Sequence, residues 1–159
     1  MVREGIVMFL STTTNNLDAK GRISVPADFR SVVDTSRFDG VIVWPSINGA
    51  YLEGGDMALL DGYQRSLDNI DPMNEQREWL ELSIFAASRR LSFDSGGRIT
   101  LPKDLVEFAA LADKGTFVGL GRRFQIWRPE AHEARLTDVR QMAKESRNLL
   151  KPISYPGGV

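Results

Sequence analysis

The chain has 159 residues, a length that suits one compact domain or two very small ones that share a core. It has no cysteine, which excludes a disulfide framework and a thiolate metal site and fits a reducing cytosol. No apolar run approaches the roughly 20 residues that cross a bilayer, and a formal net charge of −1 means that any binding to nucleic acid must come from locally concentrated cations.

One segment occurs twice in the chain. Residues 17–26, with the sequence LDAKGRISVP, recur 76 residues later as residues 93–102, with the sequence FDSGGRITLP. Two such units with matching apolar faces can pack about a pseudo-twofold axis and close one small barrel, although neither could bury its face alone.

Each copy begins with a predicted β-turn. The carboxylate of Asp18 can accept hydrogen bonds from backbone N–H groups one or two residues on, and Gly21 supplies the positive φ that a tight turn needs. Asp94 and Gly97 occupy the matching positions in the second copy. These four are the predicted turn-forming residues.

A short strand and a short helix are predicted after each turn. Ile23 and Val25 alternate with polar residues, which is typical of a strand with one face towards a core. Pro26 ends that strand because it has no N–H for a ladder, and it suits the first turn of a helix. The expected apolar residues of this helix and of its counterpart after Pro102 are Phe29, Val32, Val33, Leu105, Phe108 and Ala109.

Each half then continues into a predicted hairpin, over 41–52 and 116–127, and further helices follow. Asp56 and Asn74 are predicted N-caps of two helices, the second of them over 75–87. That second helix has apolar residues around much of its circumference, which predicts burial on more than one side or contact with a neighbouring subunit. Pro129 is predicted to open a long helix.

Together these motifs resemble the MraZ proteins, which are relatives of the AbrB and MazE DNA-binding barrels. The resemblance is carried by two D-x-x-G-R turns, by W-P at 44–45 and by F-x-I-W at 124–127, and it runs from about residue 8 to residue 150. It implies an α+β fold, a pseudo-twofold duplicated double-split β-barrel with flanking helices, and no cofactor. The expected domains are a first repeat over 8–53, connecting helices over 54–88, a second repeat over 89–128, a C-terminal helix over 129–150 and a tail over 151–159.

The resemblance also implies a function. The expected protein is a bacterial, sequence-specific transcriptional regulator of the division and cell-wall gene cluster, located in the cytoplasm and associated with the nucleoid. Its partners would be double-stranded DNA carrying repeated promoter boxes and further copies of itself in a ring-like homo-oligomer, with no membrane and no small-molecule substrate. One alternative stays open, a non-catalytic protein-interaction ring or antitoxin-like scaffold.

The resemblance assigns the DNA-facing positions to Lys20, Arg22 and Arg98. The chain departs from the pattern at Gly96, where a second lysine would have made the two turns alike. The second turn is therefore expected to contact DNA less strongly or to be mainly structural.

The residues by themselves leave the role of Arg22 open. Its guanidinium can donate two parallel hydrogen bonds to a guanine edge or to phosphate, while Lys20 offers a compact charge to phosphate. Arg22 can equally pair with Asp18 and only fix the turn. The basic pairs at 89–90 and 122–123 favour a solvated face.

No catalytic or metal-binding arrangement is expected. His132 is the only histidine, and its place at the start of a helix predicts exposure to solvent. Residues 94–96 read D-S-G, a triplet of the kind found in aspartic protease dyads, but residues 18–20 read D-A-K and place a cation where two carboxylates would have to approach closely. The chain is therefore not expected to be an enzyme.

Overall fold

The computed structural model describes residues 8–153, so residues 154–159 of the predicted tail lie outside the described residues. The strands in this range are β1 (Thr12–Asn16), β2 (Arg22–Ser24), β3 (Gly40–Pro45), β4 (Leu52–Gly55), β5 (Arg89–Ser92), β6 (Arg98–Thr100), β7 (Lys114–Gly119) and β8 (Phe124–Trp127). The helices are α1 (Ala27–Val32), α2 (Met57–Leu67), α3 (Glu75–Glu81), α4 (Lys103–Phe108) and α5 (Pro129–Ser146), with a π-helical turn over Leu82–Ala86 and a 3₁₀ turn over Arg147–Leu149. The domain boundaries drawn from the sequence stay predictions.

The strands form two antiparallel sheets that interleave the two halves of the chain. Six strands lie in the order β1-β7-β8-β4-β3-β5, and β2 pairs with β6 in a separate two-stranded ribbon. Each hairpin takes its outer neighbour from the other half, since β1 pairs with β7 and β5 pairs with β3. Neither half could therefore complete its sheet alone.

The register of the strands follows the predicted pseudo-twofold axis. Ile23 lies opposite Ile99 at the centre of the ribbon, and Glu53 lies opposite Gln125 at the centre of the six-stranded sheet. The α+β fold class is confirmed. The expectation of a closed barrel is wrong, because among residues 8–153 the strands β1 and β5 form the two edges of the sheet. The ribbon joins β1 by an isolated bridge between Leu17 and Ile23 and a side-chain hydrogen bond from Asn15 to the carbonyl of Ser24, and not by a continuous ladder.

The main core lies between the ribbon and the six-stranded sheet. Ile23 and Ile99 are at most 1% exposed, as the predicted inward face of each short strand requires. Four aromatic rings fill the space behind them with centroid distances of 5.1 to 6.0 Å, namely Phe9, Phe29, Phe117 and Phe124. Three of these pairs, Phe9–Phe29, Phe9–Phe124 and Phe29–Phe117, are edge-to-face, and each such pair contributes about 0.5–1.5 kcal/mol beyond the area it buries.

The connecting helices begin where predicted but are less buried than predicted. Asp56 accepts a hydrogen bond from the N–H of Leu59, and Asn74 accepts one from the N–H of Gln76, so both N-caps are confirmed. The predicted helix over 75–87 ends at Glu81 and continues as the π-helical turn. This turn changes the spacing of the side chains.

As a result, only part of that apolar segment reaches the sheet. Ile84 and Phe85 pack beside Ile42 and Trp44 on the face of the sheet away from the main core. Trp79 and Leu82 are 58% and 56% exposed, so the prediction of burial on more than one side is wrong within the single chain.

The predicted burial of Phe108 and the predicted exposure of His132 are both wrong. Phe108 is 40% exposed, because α4 ends at this residue and its core positions are taken by Leu105 and Ala109. His132 is buried rather than exposed, and burial lowers the pKa of its imidazole. A place in the first turn of a helix does not decide which side of that helix a residue occupies.

No helix in the described range is both long enough and apolar enough to cross a membrane. The chain divides into two compact units, and the boundary along the chain falls between Pro129 and Glu130. Both sheets and both turns belong to the first of these units.

Candidate nucleic-acid interface

The first turn is built from hydrogen bonds within five consecutive residues. The Asp18 carboxylate oxygen Oδ1 accepts the backbone N–H groups of Lys20 and Arg22, each at 2.9 Å. The Asp18 carbonyl accepts the N–H of Gly21 at 3.0 Å, and Gly21 has a φ of +83°. Asp18 and Gly21 therefore have the hydrogen bonds and the positive φ of a tight turn.

The second turn repeats this geometry. Oδ1 of Asp94 accepts the N–H groups of Gly96 and Arg98, each at 2.9 Å. The Asp94 carbonyl accepts the N–H of Gly97 at 3.0 Å, and Gly97 has a φ of +77°. The D-x-x-G-R motif therefore specifies the same backbone conformation in both halves of the chain.

Each turn also holds its arginine by an ion pair. Nε of Arg22 donates to Oδ2 of Asp18 at 2.6 Å, and Nε of Arg98 donates to Oδ2 of Asp94 at 2.9 Å. All four side chains are between 36% and 40% exposed. Since the aspartates bind Nε, the outer ends of both guanidinium groups, with their two Nη nitrogens, have no hydrogen-bond partner among residues 8–153. The aspartate that stabilises each turn therefore also orients the arginine with its Nη nitrogens outward.

The same contacts keep both aspartates ionised. The backbone N–H of Arg22, its side chain and the N–H of Lys20 hold the pKa of Asp18 below its ordinary value of 3.8. The backbone N–H of Arg98, the N–H of Gly96 and the Arg98 side chain lower the pKa of Asp94 in the same way. Hydrogen bonds to a carboxylate stabilise its charged form, so both ion pairs are intact at neutral pH.

The ribbon brings the two arginines onto one surface. Arg22 lies opposite Thr100 and Ser24 lies opposite Arg98, on either side of the buried central pair. Because cross-strand partners and alternate residues share a face, all four side chains point away from the core. Ser24 and Thr100 are exposed there. These two hydroxyl residues were not among the predicted site residues, since the face they share with the arginines depends on the pairing of two distant strands.

Lys20 lies beside a depression of about 330 Å³ at the first turn. The depression is also lined by Lys103 from α4 and by Val106 on the same helix. The two lysines thus lie beside the first turn, whereas Gly96, the residue of the second turn that matches Lys20, has no side chain.

The other basic pairs differ from the turn arginines. Arg89 donates to the Asp104 carboxylate at 3.1 Å, and Arg123 lies 3.6 Å from the buried carboxylate of Glu53. Neither residue belongs to the ribbon. In the described range, no group of three or more His, Asp and Glu side chains is placed to hold a metal ion.

Comparison with known proteins identifies the family. The family model described as "MraZ protein, putative antitoxin-like" matches residues 8–43 and 84–151. A curated relative from Rickettsia canadensis (strain McKiel), named "Transcriptional regulator MraZ", is 37% identical over 91% of this chain and 97% of its own length. Relatives with the same name from Phenylobacterium zucineum (strain HLK1) and Caulobacter vibrioides (strain NA1000 / CB15N) are 44% and 42% identical, over 87% and 91% of this chain and 86% and 92% of their own lengths.

The relatives are named for the regulation of transcription, which is not an enzymatic function. The chain is accordingly a transcriptional regulator and not an enzyme. The family model and the relatives together cover most of the chain, including both turns, and they confirm the resemblance deduced from the paired motifs: the chain belongs to the MraZ family.

Proposed function

We propose that the chain binds double-stranded DNA in a sequence-specific manner through the outer face of the β2–β6 ribbon and its two turns. The observation that carries this proposal is the pair of arginines on one face, each held at Nε by an aspartate and free at its outer end. The major groove of B-DNA admits a two-stranded β-ribbon, and the outer end of a guanidinium can donate two hydrogen bonds to a guanine. Arg22 and Arg98 would therefore contact bases.

Lys20 would contact phosphate. It is exposed at the tip of the first turn, where an ammonium group can approach the DNA backbone without being buried. Ser24 and Thr100 can donate hydroxyl hydrogen bonds to phosphate or to a base edge from the same face. Asp18, Gly21, Asp94 and Gly97 would hold the turns in place without contacting DNA.

We further propose that the chain acts as a ring-like homo-oligomer on repeated promoter boxes of the division and cell-wall gene cluster, in the cytoplasm at the nucleoid. One subunit with a net charge of −1 and two turns would bind a single box weakly. Linking several subunits raises affinity by a factor of about 10²–10⁴ when the box spacing fits. The exposed Trp79 and Leu82, one helical turn apart on and just beyond α3, offer an apolar contact for assembly.

The test uses the full chain and a duplex that carries the region upstream of its own gene. A mobility-shift titration should give tight binding to this duplex and much weaker binding to a scrambled duplex of equal length. The affinity for the upstream duplex should fall steeply with salt, with a log–log slope of about −0.9 for each phosphate contacted. Light scattering should give a mass of several subunits.

The control is the double variant Arg22→Ala/Arg98→Ala. It should lose specific binding but keep the oligomer mass, because neither residue lies on the apolar surface of Trp79 and Leu82. Equal binding of the wild type to both duplexes, or full binding by the double variant, would contradict the proposal. If the wild type bound neither duplex but still formed a ring, the antitoxin-like scaffold would be the better description.

A further inference from the structure

Arg30 belongs to the first half of the chain but lies against the second turn. It is in the last turn of α1, and its guanidinium covers Gly97. A Cβ built on Gly97 would lie 2.5 Å from Cζ of Arg30 and 2.9 Å from its Nε. The pairing of β2 with β6 explains this placement, because the N–H of Val25, just before α1, donates to the carbonyl of Gly97 at 3.2 Å.

Arg30 carries a charge that the described chain does not neutralise. Among residues 8–153, no carboxylate forms an ion pair with it, and its buried Nε has no hydrogen-bond partner. Arg22 and Arg98, by contrast, are each paired with an aspartate. A partly buried cation without a counter-charge is costly. An anion arriving at the second turn would supply the missing partner.

At the first turn, the helix position that matches Arg30 is uncharged. The residue that corresponds to Arg30 in the second half is Val106, which lines the depression beside the first turn and carries no charge. The first turn has Lys20 at its tip, whereas the second has Gly96. Besides its paired arginine, the first turn has Lys20 at its own tip and Lys103 beside it from α4 of the other half. The second turn has Arg30 beside it, from α1 of the other half.

We infer that Arg30 is a phosphate-binding residue of the second turn and replaces there the lysine that Gly96 does not provide. This inference rests on the proposed function, since the anion is taken to be a phosphate of the bound DNA. It changes the expectation drawn from the sequence, because the second turn would then contact DNA about as strongly as the first.

The experiment compares Arg30→Gln and Arg30→Ala with the wild type on the upstream duplex over a range of salt concentrations. Each variant should bind about tenfold more weakly, as expected for the loss of one charge-assisted hydrogen bond. The salt slope should decrease by about one, and binding to a scrambled duplex should weaken by a similar factor, because a phosphate contact is blind to sequence. The melting temperature should stay the same or rise, since no internal partner of Arg30 is lost.

A second variant tests whether the charge itself matters. In Arg30→Gln/Gly96→Lys, the lysine should restore most of the affinity and the salt slope. Gly96 has room for it, because the nearest atom to a Cβ at this position is Oδ1 of Asp94 at 3.5 Å. Arg65→Ala, which removes an exposed arginine of α2, is the matched control and should leave DNA binding unchanged.

The possible results separate the inference from the proposed function. Wild-type affinity of both Arg30 variants, together with loss of binding in Arg22→Ala/Arg98→Ala, would overturn the inference alone. Full binding by that double variant would overturn the proposed function and the inference with it. A lower melting temperature without rescue by Gly96→Lys would also overturn the inference, because Arg30 would then be structural.

Discussion

The first turn, residues 18–21, and the second turn, residues 94–97, have the same backbone hydrogen bonds and almost the same φ at their last glycine. Their surroundings differ, however. The first turn borders an open depression with two lysines, and the second is covered by the guanidinium of Arg30. The duplicated motif therefore gives both turns the same backbone conformation and the same internal hydrogen bonds. The residues that surround each turn come from the other half of the chain, and they differ in charge between the two turns.

The largest effect is expected from the paired arginines themselves. Arg22→Ala and Arg98→Ala should each lower the affinity for the upstream duplex by about tenfold or more, because a base contact by arginine is worth roughly 1–3 kcal/mol. Since Arg30 adds a cation to the second turn, the two losses should agree within a few-fold in mobility-shift titrations. A much smaller loss for Arg98→Ala would mean that the second turn is mainly structural.

Replacing the positive-φ glycine of each turn should lower the free energy of unfolding by a different amount at the two turns. Gly21→Ala and Gly97→Ala each force a side chain into positive φ, at a cost of about 1–3 kcal/mol in the free energy of unfolding. At Gly21 the new Cβ would also lie 2.6 Å from the carbonyl oxygen of Leu101, which is backbone, whereas at Gly97 it would meet the flexible Arg30 side chain.

Gly21→Ala should therefore be the more destabilising of the two in urea unfolding. Gly96→Ala is the control, since Gly96 does not have positive φ and should tolerate the change within about 0.5 kcal/mol. Equal losses at both turn glycines would argue that the contact with Leu101 relaxes easily.

Gly96→Lys should make the tips of the two turns alike, with one lysine at each. We expect a gain in affinity of a few-fold and a salt slope steeper by about one, because one more ammonium group can reach phosphate. The salt slope is the decisive measurement. An unchanged slope would show that the tip of the second turn does not approach the DNA backbone.

The smallest effect concerns acid stability. The pKa values of Asp18 and Asp94 are lowered in the folded state, so their contribution to stability is present above the unfolded pKa of about 3.8 and is lost as the pH falls through the lower folded values. Urea midpoints should thus begin to decline below about pH 4. Asp18→Asn and Asp94→Asn should each flatten this decline by a similar amount, since the two aspartates accept the same set of hydrogen bonds. A flattening confined to one variant would show that the two ion pairs are not equivalent in solution.

Local patterns predicted much of the fold and part of the candidate site. The caps at Asp56 and Asn74 and the turns at Asp18 and Asp94 depend on hydrogen bonds between residues a few positions apart, so they could be deduced from residue type and order. The exposure of Trp79 could not, because it depends on where α3 gives way to a π-helical turn. Arg30 was missed because its contact with Gly97 joins two halves of the chain and leaves no periodic signal.

Residue type and order were enough to predict two D-x-x-G-R turns, a short strand after each turn with one face towards a core, and the resemblance to the MraZ family. The physical reason is that such a turn is stabilised almost entirely by its own aspartate, glycine and arginine. Three features became visible only in the folded chain: the halves exchange strands, Arg22 and Arg98 share one outward face, and Arg30 reaches the second turn. These features depend on strand pairing between residues far apart in the chain, which local composition does not encode.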